Sequence, residues 1–385
     1  MPVDRDYVVT TLQELVRIDS RNPSSEEGGP GELEIGLKVR GHLERAGWEG
    51  EVQDLGGGRV NVVATRGGAG GGRSLLLNVH LDTVGVAGMD DPFSGELRDG
   101  RVHGRGAQDT KGGAAAVLGA AKALIDDGVR LAGDLVLAFV ADEEHESLGT
   151  AALVRQVKTD AAIVLEPSDL EVCVAHRGFG VFRLITRGRA AHGGRPEAGI
   201  DANLHMAHLL VELDRLSERW REGTRHPLLG SASLHVPMVS GGHQLFVYAD
   251  RCTADLECRT VPGQGEEEVL GQIRSAIDAV AGRIEGFDAS VEQVFWRSPY
   301  EIDPDRPIVR TVRAAVEEVR GEPGRLIGHP WWEDSELLGA AGIETVVLGP
   351  VGEGLHSQEE WVDADSVVEL AQILYQSAIS YCGIA

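Results

Sequence analysis

Apolar positions recur at helical spacing near the start of the chain: Val8, Leu12, Leu15 and Val16, then Leu33, Ile35, Val39 and Leu43 before Gly47. This period predicts two amphipathic helices, over 6–18 and 32–46, packed on a sheet. The pattern then shifts to short, mostly apolar runs, 60–64 and 75–79, set between glycine-rich turns at 56–58 and 67–72. Such runs predict buried strands. Neither glycine-rich turn carries the GK[ST] of a P-loop, so they read as turns and not as phosphate cradles. Helix 110–127, strand 134–140, helix 149–157 and strand 161–165 continue the alternation that an α/β layer demands.

From about His176 the order changes to strand 179–186, long helix 201–221, strands 231–239 and 246–259, helix 265–281 and strand 289–295. This βαββαβ order is that of a ferredoxin-like unit. After Pro299 the alternation of helix and strand returns, at 306–320, 335–341, 345–348 and 363–381. The sequence therefore predicts an α/β catalytic domain formed by 1–176 and 294–385, interrupted by an inserted α+β domain at 177–293.

Composition agrees with two domains, since 385 residues with 42% hydrophobic content exceed one typical domain and fill a sizeable core. A net charge of -25 argues against nucleic acid and against anionic membrane surfaces as partners. An anionic substrate would need a local cationic group to overcome that field. The acids near the N-terminus and the lack of a long apolar run predict a cytoplasmic protein. Cys173, Cys252, Cys258 and Cys382 are scattered, with no CxxC pair, and read as core thiols.

The chemistry lies where apolar runs stop. LLLNVHLD ends in His80 and Asp82, which point to one face of an extended strand, so Asp82 is placed to hold the imidazole or the site behind it. Alone, a His near an acid at a strand end is more commonly a structural pair. Three further runs end the same way, at Asp142-Glu143-Glu144, at Glu166 and, through a glycine-rich loop, at His356. Asp109 stands just before an Ala-rich helical run, where an acid could otherwise be a cap. Two His and several carboxylates at strand ends form the ligand set of a mixed nitrogen/oxygen metal site, in the place where open α/β sheets build their sites.

In order along the chain, HLDTV, GRGAQDTKGG, DEE, EP, AAHGGRP and GLHSQEE resemble the zinc-dependent aminoacylase/carboxypeptidase family, which includes acetylornithine deacetylase, succinyl-diaminopimelate desuccinylase and glutamate carboxypeptidase. The resemblance covers nearly the whole chain. It implies a zinc-peptidase-like catalytic domain with a mixed sheet flanked by helices, and an insert serving as lid and dimerisation surface of a homodimer. It implies two divalent ions, most simply zinc, with cobalt or manganese as alternatives. Asp109 would bridge them, with His80 and Glu166 at one ion and Glu144 and His356 at the other. Glu143 would be the general base, although an acid in the 142–146 run could also be a solvated surface group. Asp82 would support His80 without binding metal. The resemblance also implies a cis peptide after Asp109, an oxyanion contact from His192, and a substrate carboxylate held by Arg259.

The implied activity is cleavage of the amide bond of an N-acyl amino acid. Alternatives are a dipeptidase or carboxypeptidase acting on short peptides with a free carboxylate, and a non-catalytic relative that binds such ligands. This chain departs from the family pattern at Phe246 and Ala249, where many relatives have Asn and Pro, and at Trp331-Trp332, which replace small residues. The first change removes a polar contact, and the second places two aromatics where they would line and narrow a substrate pocket.

Overall fold

In the computed structural model, which describes residues 3–385, the chain begins with helices α1 (Arg5–Val16) and α2 (Leu33–Arg45). The first two residues of the expected catalytic domain lie outside the described residues. Strands β1 (Gly50–Gly56), β2 (Arg59–Arg66), β3 (Leu75–His80), β4 (Glu96–Arg98) and β5 (Arg101–His103) follow, then helix α3 (Gly112–Asp126). Next come β6 (Leu135–Val140), α4 (Leu148–Leu153), β7 (Ala161–Val164) and β8 (Val172–His176). The middle of the chain holds β9 (Gly178–Arg187), α5 (Ala202–Glu222), β10 (Ser233–Gly241), β11 (Arg251–Thr260), α6 (Glu266–Ala281) and β12 (Asp288–Arg297). The last part holds β13 (Tyr300–Glu301), α7 (Pro307–Arg320), β14 (Leu326–His329), α8 (Ser335–Ala340), β15 (Glu344–Val347), β16 (Gly352–Glu353), β17 (Trp361–Asp363) and α9 (Ala364–Cys382).

These elements fall into two compact units. The first comprises the chain up to Val174 with Ile302–Ile327 and Glu333–Ala385, and the second comprises Ala175–Glu301 with Gly328–Trp332. The expected boundary at residue 293 falls inside β12, which continues to Arg297.

The first unit is built on a mixed sheet in the order β1-β2-β6-β3-β7-β15-β8. Its centre is parallel: β3 lies between β6 and β7, with His80 opposite Val140 and Asn78 opposite Val164. Every residue of β3, β6 and β7 is buried, as expected of strands covered on both faces. Because the three strands run the same way, their carboxyl ends open on one edge, spaced by about 4.8 Å per strand. On one side of the sheet, α3 packs against α1 and α9, and α9 packs against α7. The amphipathic pattern is realised in α1, where Val8, Leu12, Leu15 and Val16 are buried and the Asp4 side chain accepts from the Tyr7 N–H to cap the first turn. Gly113 lets α3 sit close to the sheet, since a Cβ there would meet the Leu165 Cβ at 2.8 Å. A small antiparallel sheet, β16-β17-β5-β4, pairs Trp361 with His103 beside the site.

The second unit is a four-stranded antiparallel sheet, β10-β11-β9-β12, with the βαββαβ chain order of a ferredoxin-like fold. Phe182, Leu184, Ala254, Leu256 and Cys258 pack against Met206, Leu209 and Leu213 of α5 and Val269, Ile273 and Val280 of α6. One expected strand is shorter than its apolar run: β11 begins at Arg251, not at 246. Gly242 turns the chain with φ 76°, and Val247 then bridges His192 and does not continue the ladder with β10. Phe246 is left 76% exposed. Among the described residues no helix is long and apolar enough to cross a membrane. All four cysteines are buried, and none is in a disulfide.

Candidate metal centre

β3 delivers His80 to the open edge of the sheet. Its Nδ1 lies 2.9 Å from the backbone oxygen of Asp82. A carbonyl oxygen only accepts, so Nδ1 carries the proton there and Nε2 faces the centre. His80 Nε2 stands 3.0 Å from Asp109 Oδ1 and 3.5 Å from Glu166 Oε1, which follows β7. Burial lowers the His80 pKa, but Glu166 and Asp109 beside it outweigh burial and hold the imidazole well above its ordinary value.

Asp109 sits in a wide, π-type turn, 107–111, between β5 and α3. The Asp109–Thr110 peptide is cis, as the resemblance implies. While Asp109 Oδ1 faces His80, Asp109 Oδ2 stands 3.2 Å from His356 Nε2. His356 in turn lies 3.3 Å from Glu144 Oε2. Burial raises the Asp109 carboxyl, but hydrogen bonds from His356 and His80 more than reverse this and hold it below the usual carboxylate range. His356 has a left-handed backbone, φ 55°, which is uncommon outside glycine and which points to a loop held by its surroundings.

The turn after β6 carries both glutamates. Glu143 is partly exposed, yet its carboxyl is packed closely enough that desolvation raises its pKa well above the usual value, opposed by His80 and reinforced by Asp334 and Glu144. Glu144 is raised as well, first by desolvation and then by Asp109. The adjacent side chains diverge: ligand atoms of His80, Asp109 and Glu144 lie within 4.8 Å of one another, and so do those of His80, Glu143 and Glu166.

Asp82 does more than the sequence suggests. Its carboxylate is 3.5 Å from His80 Nδ1, and it is the Asp82 backbone oxygen that makes the shorter imidazole contact. The carboxylate instead accepts the N–H groups of Glu143 and Glu144, each at 3.1 Å, and the Asn22 amide at 2.8 Å. Asn22 also donates to Asp142, which pairs with the buried Arg59 at 2.9 Å. Arg59 is held from behind by the buried Glu32. Asn22, Glu32 and Arg59 are absent from the sequence reading because a polar network drawn from distant positions leaves no periodic trace.

His192 and Arg259 belong to the second unit. His192 is exposed, and its Nδ1 accepts from the Gly194 N–H at 3.1 Å. Arg259 on β11 pairs with Glu257 at 2.6 Å and lies 5.2 Å above the Phe179 ring. Trp332 is buried against Arg297 and His176, and Trp331 stacks on His329 with ring centroids 4.6 Å apart.

The first unit thus brings His80, Asp109, Glu143, Glu144, Glu166 and His356 together. These groups fit divalent ions on chemical grounds. Two imidazole nitrogens address opposite oxygens of one carboxylate, more carboxylates crowd the same space than two imidazoles neutralise, and the buried Glu144 Oε1 has no hydrogen-bond partner among the described residues. Such buried acceptors are costly unless a cation or a donor satisfies them. The nitrogen/oxygen donor set suits zinc, cobalt or manganese.

A family model described as peptidase family M20/M25/M40 matches residues 76–380. Acetylornithine deacetylase of Myxococcus xanthus is 28% identical over 359 residues, covering 90% of this chain and 91% of the relative. N-formyl-4-amino-5-aminomethyl-2-methylpyrimidine deformylase of Bacillus subtilis (strain 168) is 26% identical over 375 residues, covering 89% and 88%. Among solved structures, the Bacillus subtilis YXEP protein, a dinuclear metal-binding peptidase of the M20 family, superposes with a TM-score of 0.77 at 16% identity, covering 98% of each chain. The sheet, the insert and the family match lead to one conclusion: the chain belongs to peptidase family M20/M25/M40 and is a hydrolase of amide bonds.

Proposed function

We propose that the chain is a two-metal deacylase that cleaves the amide bond of an N-acyl amino acid. The observation that carries this reading is the Asp109 carboxylate shared between His80 and His356, with Glu166 and Glu144 on the two sides. His80, Asp109 and Glu166 would hold one ion, and Asp109, Glu144 and His356 the other, with zinc as the proposed metal. Bound there, the ions would polarise an amide carbonyl and make water nucleophilic at neutral pH.

The chain's own groups account for the proton and the substrate. Glu143 takes one proton from the attacking water and returns it to the leaving nitrogen as the C–N bond breaks. A carboxyl raised above its ordinary value by desolvation suits both halves of that task. Asp82 fixes the turn from which Glu143 projects. Arg259 reads the carboxylate of the substrate, exchanging its contact with Glu257 for a charge-assisted pair. His192 donates to the oxyanion.

The relatives support deacylation over peptidase action, since those matched at 28% and 26% identity are named for removing acetyl and formyl groups. The second unit is proposed as lid and homodimer surface. Its edge strand β10 is unpaired on one side and exposes Met238 and Val239, and a two-fold pairing would cover such an edge. Four buried cysteines outside any disulfide fit a reducing, cytoplasmic setting. Metal content measured alongside turnover of an N-acyl amino acid panel, with and without chelator, tests the reading. Full activity in metal-free protein would sink it.

A further inference from the structure

Glu360 sits four residues beyond His356, in an acidic run that gives it no distinction in the sequence. In the structure it is buried, and its two oxygens are fully engaged. Oε1 accepts the backbone N–H groups of Gln108 and Asp109 at 2.9 and 3.2 Å. Oε2 accepts the Gly106 N–H at 3.0 Å and Arg105 Nη1 at 2.7 Å. The three backbone donors belong to the irregular turn that opens α3, where N–H groups have no partner within the helix. Glu360 therefore holds the turn that leads into α3 from a position some 250 residues away in sequence.

Its partner Arg105 spreads its remaining donors over two other loops. Arg105 Nε donates to the Gly85 oxygen at 2.9 Å and Arg105 Nη2 to the Ser357 oxygen at 2.8 Å. Gly85 follows the His80–Asp82 segment, Asp109 follows Arg105, and Ser357 follows His356. One buried ion pair thus ties together the three loops that present His80, Asp109 and His356. The pairing of β17 with β5 and the Gly104 N–H bonded to the Glu360 oxygen at 3.1 Å hold the pair in register. There is little slack: a Cβ at Gly106 would meet Thr83 Cγ2 at 2.6 Å.

The geometry points to Glu360, held by Arg105, as a positioning residue that sets the Asp109 carboxylate between His80 and His356. The inference rests on the two-metal reading of that centre. Glu360 touches neither substrate nor metal ligand side chains; it acts through the backbone of the bridging residue. A carboxylate is required because four donors converge on it. The amide of a Gln would turn its own NH2 toward one pair of donors and leave Arg105 without a counter-charge.

The test is metal binding by the metal-free protein, with zinc alone as probe and a chromophoric chelator as competitor. Glu360→Gln is expected to weaken zinc binding about 10–100-fold, the range typical for groups that orient ligands, with unchanged circular dichroism in excess zinc. Glu360→Asp keeps the charge but is one methylene short, and should fall between Gln and wild type. It carries the test alone should the Gln protein not fold. A variant that melts lower yet binds two zinc ions with wild-type affinity overturns the positioning role and leaves the two-metal reading intact. A wild-type protein that binds no zinc overturns both.

Discussion

Asp82 Oδ1 accepts the backbone N–H of Glu143 at 3.1 Å, while the second oxygen of the same carboxylate accepts the N–H of Glu144 at 3.1 Å. The turn that presents both glutamates is therefore fixed through its backbone. Either side chain can be altered without releasing the other. Burial raises the Asp82 carboxyl, but His80 and Asn22 more than offset this and keep it below its ordinary value, so it stays an acceptor.

The two glutamates are separable for this reason. Glu143→Gln is expected to keep its metal and lose nearly all turnover, a drop of about 10²–10⁴ in kcat as for a lost general base. Glu144→Gln should lose metal affinity as well as turnover. Elemental analysis beside steady-state kinetics checks both, and appreciable kcat in the Glu143→Gln protein would refute the assignment.

Metal uptake should release protons and tighten as pH rises. Hydrogen bonds to Asp109 and Glu144 raise the His356 pKa from 6.5 to about 10, and His80 is also raised. At pH 7 the His356 imidazole of the metal-free chain then holds a proton that an ion must displace, so affinity climbs with pH until His356 loses its proton near pH 10. The same shift gives the metal-free fold a contribution present below pH 6.5 and lost as pH rises through about 10. Calorimetric titration in buffers of different ionisation enthalpy reads the proton count. PH-independent affinity would contradict it.

Arg259→Ala should raise KM for substrates with a free carboxylate by roughly 10–100-fold, consistent with a charge-assisted hydrogen bond of about 1.5–3 kcal/mol. A carboxamide analogue should show little change. Equal losses on both would mean that Arg259 does not read that group.

His192 is proposed to serve the substrate held by the other subunit. An inactive His192→Ala protein mixed with an inactive Glu143→Gln protein should regain part of the activity after subunit exchange, because one site of the mixed dimer has both groups intact. No recovery despite demonstrated exchange would place His192 in cis or outside the reaction.

Much of the centre was legible because the strands are. Central parallel strands are almost wholly apolar, with Asn78 the exception in β3, so the polar residues that close each run, His80, Asp142 and Glu166, mark the open edge of the sheet. The βαββαβ order of the second unit was legible from the alternation of periods. The network Glu32–Arg59–Asp142–Asn22–Asp82 was not, since a buried polar residue far away in sequence looks like any surface residue until the chain is folded. Residues 246–250 misled for the opposite reason: an apolar run extended the expected strand, but the turn at Gly242 sends it to bridge His192.

The most direct test of the central claim is anomalous diffraction from zinc-loaded crystals. Two peaks about 3.5–4 Å apart on either side of the Asp109 carboxylate, one beside His80 and Glu166 and the other beside Glu144 and His356, are the predicted result. A single peak, or metal bound away from Asp109, would contradict it.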